Sequence, residues 1–403
     1  MQLRRLEFQP SNLLIGFIIL YGISPAVSRL TSSTISTYGY LLILVIAFWM
    51  IIGYDISDYV VSILPFCGYC VLSFFTSSES FAMWGFQSFL FIMPVLIGKY
   101  IIYEPHNSVN GFSRLIVCSF LITAITTIKG VIQYPSAARY LATVENSDDA
   151  FNVLLGWHNI GGYTFVYMLV LIYPMLIFAY KRRKIKKVTL MLGVFIAYAT
   201  ALLTEYTIAL LLLMASTLFL FLKRDLRVKE VLLLFIGSAV AFFVLKDYAS
   251  SALQWLSGVV GSKDISERLL ALSGGTSGLQ GFDDDRVQLY QKSFMVFMRN
   301  PFLGRLLGNT SGIGGHSAIL DVLANYGILG GGVILLMYRK IYTIFYRPFK
   351  KQCGYGYYYW SYIQAIILSC LNTGFWIQVL SIYIPFIFIS IVGKDVNEST
   401  LDY

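Results

Sequence analysis

Apolar runs of about twenty residues follow one another along this 403-residue chain with little charge inside them, and that pattern leaves few folds open to it. The runs fall roughly at 12–30, 38–54, 59–75, 81–103, 113–133, 161–180, 188–204, 206–222, 231–247, 318–338, 357–374 and 376–392. A spanning helix needs about 20 mainly apolar residues, so the pattern predicts an all-α polytopic membrane protein with about 12 transmembrane helices. Composition agrees. Charged residues make up 13% of the chain, against about 25% in a soluble domain, and the mean hydropathy is +0.70. The many aromatics, 29 Tyr and 30 Phe, suit rings placed at membrane interfaces. The first run offers no small-residue cleavage site that stands out, so it is expected to be a retained helix.

The net charge of +9 invites a nucleic-acid reading. The positive residues instead cluster in short segments between apolar runs, where they report topology. Arg4 and Arg5 precede the first run, Lys181 to Lys187 reads KRRKIKK, and Lys223 to Lys229 reads KRDLRVK. Arg339, Lys340, Arg347, Lys350 and Lys351 follow the tenth run. Twelve helices place all four segments on the cytoplasmic side together with both termini, without contradiction. No nucleic acid is expected as a partner; the lipid bilayer is. Cys67 and Cys70 form a C-x2-C pair inside an apolar run, SILPFCGYCVLSFF, where membrane packing outweighs zinc, because a metal would need a polar cage.

The same count places two long loops outside, at 134–160 and at 248–316, the larger one before helix 10. Loops of that length are where function tends to sit. The second holds DDDRVQLYQKSFMVFMRNPFLGRLLGNTSGIGGHSAILDVLANYGILG, from Asp283 to Gly330. Within it SALQWLSGVV and SERLLALSG read either as short interfacial amphipathic helices or as plain loop packing. Apolar residues at Val287, Leu289, Tyr290, Phe294 and Phe297 approach a helical stripe, and Asn300-Pro301 is expected to stop that helix. The glycine-rich segment that follows leads into His316.

An arginine on the outer side escapes the positive-inside rule and asks for a reason. A guanidinium presents a fixed fork of donors that matches phosphate oxygens. Arg286, Arg299 and Arg305, with Arg139 from the first loop, suit a diphosphate; the alternatives are ion pairing with Asp283, Asp284, Asp285 or Glu267, or contact with lipid headgroups. His316 stands where the glycine-rich loop enters an apolar helix, with Ser317 a plausible N-cap. That places it beside a helix N-terminus, which favours anions, and histidine also serves as a general base near neutral pH. Asp321, just inside the membrane run, is a costly acid that calls for a partner or a catalytic role. Gly327, Gly330, Gly331 and Gly332 are expected to allow close packing or a kink.

Weaker candidates are His158 and Trp157 in GWHNIGGY, which could contact a sugar by stacking and hydrogen bonding, and Glu205 at the turn in LLTEYTIALL. Lys129 and Lys246 are expected to snorkel. The Asp283 to Asp285 triplet has no matching nucleotide-binding fold around it, so no metal site is assigned. Walker-A, dinucleotide and G-x-S-x-G motifs are all missing from the sequence, which leaves no support for ATP hydrolysis, hydride transfer or that kind of ester hydrolysis.

HSAILDVLANYGILG, from His316 to Gly330, resembles the H-[NSQ]-x9-G-x-x-G pattern of the bacterial O-antigen polymerase and ligase superfamily. DRVQLYQKSFMVFMRNPFLG is similar to the segment upstream of it in that family, where an arginine is followed by a helix and an N-P-x-x-G turn. The likeness implies a GT-C-like glycosyltransferase that needs no metal or other cofactor. It implies an undecaprenyl-diphosphate-linked oligosaccharide as donor, with Arg286 on the diphosphate and His316 as the loop histidine. Many ligases and some polymerases of the family carry an arginine at the outward turn between the seventh and eighth helices. Here that turn reads Leu203-Thr204-Glu205-Tyr206-Thr207, so either Arg139 or Arg305 supplies the charge or the chain is not a ligase; the second reading, together with LDVLANYG after His316, favours the Wzy-type polymerases. The expectation is therefore an O-antigen polymerase of the inner membrane, active on its periplasmic side in lipopolysaccharide biosynthesis and partnered by a chain-length-regulating co-polymerase. His316, Asp321 and Glu205 are its candidate bases. The rivals are the O-antigen ligase, which attaches glycan to lipid A–core, and a transporter or flippase of lipid-linked oligosaccharide, which would carry its charge along a central cavity.

Overall fold

The computed structural model describes residues 10–30, 93–102, 109–134, 137, 140–141, 150–204, 206–218, 288–307 and 312–393. The runs expected at 38–54, 59–75 and 231–247, the two short segments of the second loop, the Asp triplet, Cys67, Cys70, Arg139, Glu205 and Arg286 lie outside these residues. The described residues are helical, with no strand among them. Three of their helices are long and apolar enough to cross a membrane: Val109–Gln133, Tyr163–Lys181 and Ala318–Phe349. Shorter apolar helices include Asn12–Ile23, Met93–Ile102, Lys187–Leu203, Ile208–Leu218 and Val379–Val392. The chain forms two compact units: Met1–Asp225 with Val333–Ile366 and Trp376–Tyr403, and Leu226–Gly332 with Ile367–Phe375.

In the first unit, Val109–Gln133 packs against Pro10–Ile23, Lys187–Leu203 and Ile384–Val392. Tyr163–Lys181 packs against Lys187–Leu203, Thr207–Leu218 and Ile384–Val392. Besides their apolar core these helices turn apolar residues outward and hydroxyl-bearing ones inward. Val109–Gln133 buries Ser113, Ser119, Thr123 and Thr127 and exposes Val117, Leu121, Ile122, Ile125 and Ile132. Lys187–Leu203 exposes Val188, Met191, Leu192 and Phe195, a helical stripe of apolar residues, while burying Ala197, Thr200 and Ala201. In lipid the apolar face goes outward, and small or hydroxyl-bearing residues let helices approach and bond to one another.

The hydroxyls are used. Ser216 Oγ accepts Trp360 Nε1–H at 2.9 Å and Gln364 Nε2–H at 2.8 Å, and itself donates to the Leu212 carbonyl at 2.8 Å. Many of the aromatics expected at the membrane interface lie in the interior instead. Tyr346 stacks on Tyr358 with centroids 4.2 Å apart, and Tyr358 stacks on Phe388 at 4.3 Å. The Tyr358 hydroxyl donates to the Phe345 carbonyl at 3.0 Å. The Tyr358 ring thereby combines large apolar area with a paired polar tip.

The first apolar run is not one helix. It breaks between Pro10–Ile23 and Pro25–Arg29, with Ser24 in extended backbone capping the second piece. Proline cannot donate the next ladder bond, so a cap and a new helix replace the continuous span. Asn159 gathers the surrounding elements. Its φ of 56° is left-handed, a region asparagine tolerates. Its Oδ1 accepts from Ser24 Oγ at 2.8 Å and from the Ala26 N–H at 3.2 Å, and its Nδ2 donates to Thr123 and Thr126 hydroxyls at 3.1 Å each.

The second unit contains the helix at 288–299, the turn that follows it, the loop at 312–317, the first part of Ala318–Ile341, and the segment Ile367–Phe375. The helix stops at Asn300-Pro301, as the sequence predicts, and a 3-10 turn follows at Gly304–Leu307.

Candidate functional site

The second unit holds the loop that the sequence marks, and its geometry begins with helix capping. Ser317 caps the helix Ala318–Ile341, its Oγ accepting the Leu320 N–H at 3.2 Å. Four N–H groups at a helix start have no partner inside the helix, and one Ser oxygen satisfies one of them. A second, that of Ala318, donates to the Asn372 carbonyl at 2.8 Å.

Asp321, in the first turn, reaches back over the loop. Its Oδ1 accepts the Ser293 hydroxyl at 2.6 Å and the Gly315 N–H at 3.3 Å, while Oδ2 accepts the Ser317 N–H at 3.1 Å. Ser293 is buried, and its Oγ also accepts the Gly314 N–H at 3.0 Å. The acid expected to need a partner has found a hydroxyl and two backbone N–H groups. Gly314 must be glycine, because a Cβ there would run into the Leu289 carbonyl oxygen.

This network sets the position of His316, which is exposed at the end of the loop. Its Nδ1 lies 2.9 Å from the Gly315 carbonyl oxygen. A carbonyl can only accept, so Nδ1 is the donor in this contact and Nε2 is left to face outward groups.

The other end of the motif explains its glycines. Ala318–Ile341 is kinked at Gly327, whose backbone is left-handed at φ 63° and ψ −163°. The Ile328 N–H leaves the helical ladder and donates to the Pro301 carbonyl at 2.7 Å. A Cβ on Gly327 would collide with the Phe302 carbonyl, and one on Gly304 with the backbone of Asn325. The N-P-x-x-G turn at Asn300 to Gly304 therefore seats on the helix where the first glycine of H-S-x9-G-x-x-G opens it. Two stretches matched separately in the sequence form one backbone contact.

The remaining candidates divide as follows. Arg299 and Arg305 are exposed, the first at the end of the 288–299 helix and the second on the 3-10 turn. Both belong to the unit that contains His316 and Asp321. Trp157 and His158 belong to the other unit. They are exposed at the end of the helix Ala150–Trp157, where the His158 ring lies 6.1 Å from that of Tyr134. Among the described residues no group of three or more His, Cys, Asp or Glu side chains gathers as a metal cage would. Ser293 and Asn372 escape the sequence reading. Ser293 carries a signal in hindsight, since it interrupts an apolar stripe. Asn372 carries none, because only the fold brings its carbonyl to the start of the His316 helix. Its Nδ2 is buried and finds no partner among the described residues.

No protein-family model matches the chain, and no curated protein matches it.

Proposed function

We propose that this chain is an O-antigen polymerase of the bacterial inner membrane. It is a GT-C-like enzyme of about 12 spans, with both termini in the cytoplasm and the site on the periplasmic side. It moves the growing glycan from undecaprenyl diphosphate to the non-reducing end of an incoming lipid-linked repeat unit. A hydroxyl oxygen of the acceptor sugar attacks the anomeric carbon of the donor glycan. The bond from that carbon to the diphosphate oxygen breaks, and the diphosphate leaves with the electron pair. The leaving group is already good, so the protein need only neutralise it and accept the hydroxyl proton.

The observation that carries this reading is the held histidine. His316 sits beside a capped helix N-terminus, its Nδ1 proton is committed to the Gly315 carbonyl, and its loop is pinned by Asp321. Nε2 is thereby the group offered to a substrate hydroxyl. Asp321 has both carboxylate oxygens engaged by Ser293, Gly315 and Ser317, so in this scheme it positions the loop. Arg286 holds the diphosphate, helped by Arg305 and Arg299 of the same unit, as fixed charge placed where negative charge develops.

The test is the lipopolysaccharide ladder. Arg286→Ala and His316→Ala are expected to leave the protein folded and inserted while giving a single repeat on the core. Long-chain ladders from both variants would defeat the assignment. Purified protein with lipid-linked repeat units separates the rivals: a polymerase lengthens the glycan, a ligase needs lipid A–core as acceptor, and a flippase changes no covalent bond.

A further inference from the structure

Two basic segments far apart in the chain reach the same end of the first unit. One follows the helix Tyr163–Lys181, and the other runs from Arg347 to Gly354. An aromatic stack joins them. Phe178, three residues before Lys181, stacks on Tyr357 at 5.6 Å and on Phe388 at 5.4 Å. Phe349, directly before Lys350, stands edge-on to Phe388 at 5.7 Å. Gly354 lets the second segment close on the first helix, since a Cβ there would run into the Phe178 ring.

Both segments are turned and held by their own backbone. The Arg182 and Lys184 N–H groups donate to the Phe178 and Ala179 carbonyls at 2.9 Å each, and Arg183 between them takes a left-handed φ of 57°. In the second segment the Lys350 N–H donates to the Arg347 carbonyl at 3.2 Å and the Gln352 N–H to the Phe349 carbonyl at 2.9 Å. A segment that only sets topology needs charge near the membrane, not an ordered turn. Arg182, Arg183, Lys184, Lys186 and Lys187 are exposed at the first turn, and Arg347, Lys350 and Lys351 at the second, with Arg339 on the helix before it. None of these side chains has a hydrogen bond or an ion pair among the described residues. The sequence holds no Asp or Glu from Ala150 to Thr204 or from Val322 to Lys394. Positive charge gathered in this way attracts an anion.

The first turn also runs into apolar surface. Val188, Met191, Leu192 and Phe195 are all more than half exposed. Their helical spacing makes one stripe, which leads along Lys187–Leu203 away from Lys184, Lys186 and Lys187. Cations at the head of an apolar stripe match a molecule with a charged head and a long apolar tail. A soluble anion or an acidic protein segment would use the cations and leave the stripe.

We propose that this end of the unit binds an anionic phospholipid of the adjoining leaflet, its phosphate on Lys184, Lys186 and Lys187 and an acyl chain along Val188, Met191, Leu192 and Phe195. The second basic turn adds positive potential at the same end. The site stands apart from the polymerase reading, whose histidine belongs to the other unit.

Full-length protein in neutral detergent is incubated with equimolar phosphatidylglycerol and phosphatidylcholine of the same acyl chains. The lipid that stays bound is counted by native mass spectrometry. Phosphatidylglycerol is expected to be favoured about tenfold or more, and less so as salt rises. The combined Lys184→Gln, Lys186→Gln and Lys187→Gln variant is expected to lose most of that preference, and the corresponding Lys→Arg variant to keep it. The three lysines also bear on insertion, so the parent decides by itself: equal binding of the two lipids overturns the proposal. An inserted Gln variant with its preference intact overturns it too. So does displacement of phosphatidylglycerol by excess glycerol 3-phosphate, which would leave the apolar stripe no part in binding. Asp395→Asn, Glu398→Gln and Asp402→Asn together remove the acidic side chains that follow Lys394. A preference that arises only in this variant assigns the cations to the chain's own tail and likewise overturns the proposal.

Discussion

The Ser293 hydroxyl donates to Asp321 Oδ1 at 2.6 Å, joining two helices 28 positions apart in the chain. With the Gly314 N–H on Ser293 and the Gly315 and Ser317 N–H groups on Asp321, this pair holds the loop that presents His316. Ser293→Ala would leave the Gly314 N–H and one carboxylate lone pair without a partner. Asp321→Asn would set amide protons against a backbone N–H. Each is expected to cost about 1–3 kcal/mol. The double variant should cost less than the sum, because both sit in one network. Thermal melts of the purified protein measure the cost. Chain elongation should fall further than the melts imply, as the histidine loses its position.

Three glycines of the His316 helix and its neighbouring turn give a graded test. Gly327→Ala must enter a backbone region that is nearly reserved for glycine and clash with Phe302. A cost of about 3 kcal/mol or more is expected. Gly304→Ala, with φ of 59° and the Asn325 backbone in the way, should behave likewise. Gly332→Ala meets nothing within 4 Å and should change stability by less than about 1 kcal/mol. Equal melting temperatures for Gly327→Ala and Gly332→Ala would contradict the kink.

Asn159→Ala removes the acceptor for Ser24 and Ala26 and the donor to Thr123 and Thr126. It also leaves a Cβ-bearing residue at φ 56° without the local bonding that makes asparagine tolerable there. A loss of about 2–4 kcal/mol is expected. Asn159→Gly relieves the backbone alone and should recover about 1 kcal/mol of it. The two melts read the difference directly.

Ser216→Ala strips the acceptor shared by Trp360 and Gln364. Hydrogen bonds between membrane helices are worth about 0.6–2 kcal/mol, and a destabilisation in that range is expected. Ser216→Thr keeps the oxygen and should lie closer to the parent in the same unfolding assay.

The helical class and the approximate positions of the spans could be read from residues 109–133, 163–181 and 318–341 alone. A window of twenty apolar residues in lipid must satisfy its backbone internally, and a helix is the local answer. The stop at Asn300-Pro301 and the cap at Ser317 were legible for the same reason, because both are settled within a few neighbouring residues. Tertiary structure decided the rest. The acid at 321 announces its need for a partner, but the partner's identity depends on which helix passes by, and Ser293 lies 28 positions away. Gly327 announces flexibility, yet only the docked Pro301 to Gly304 turn makes its left-handed backbone necessary. Arg29 is an ordinary residue near the end of an apolar run until Asn152 and Gly156 fold against it. Patterning along one helix reports its surroundings in bulk, whereas a site is a meeting of groups from distant positions, and that meeting depends on packing across the whole unit.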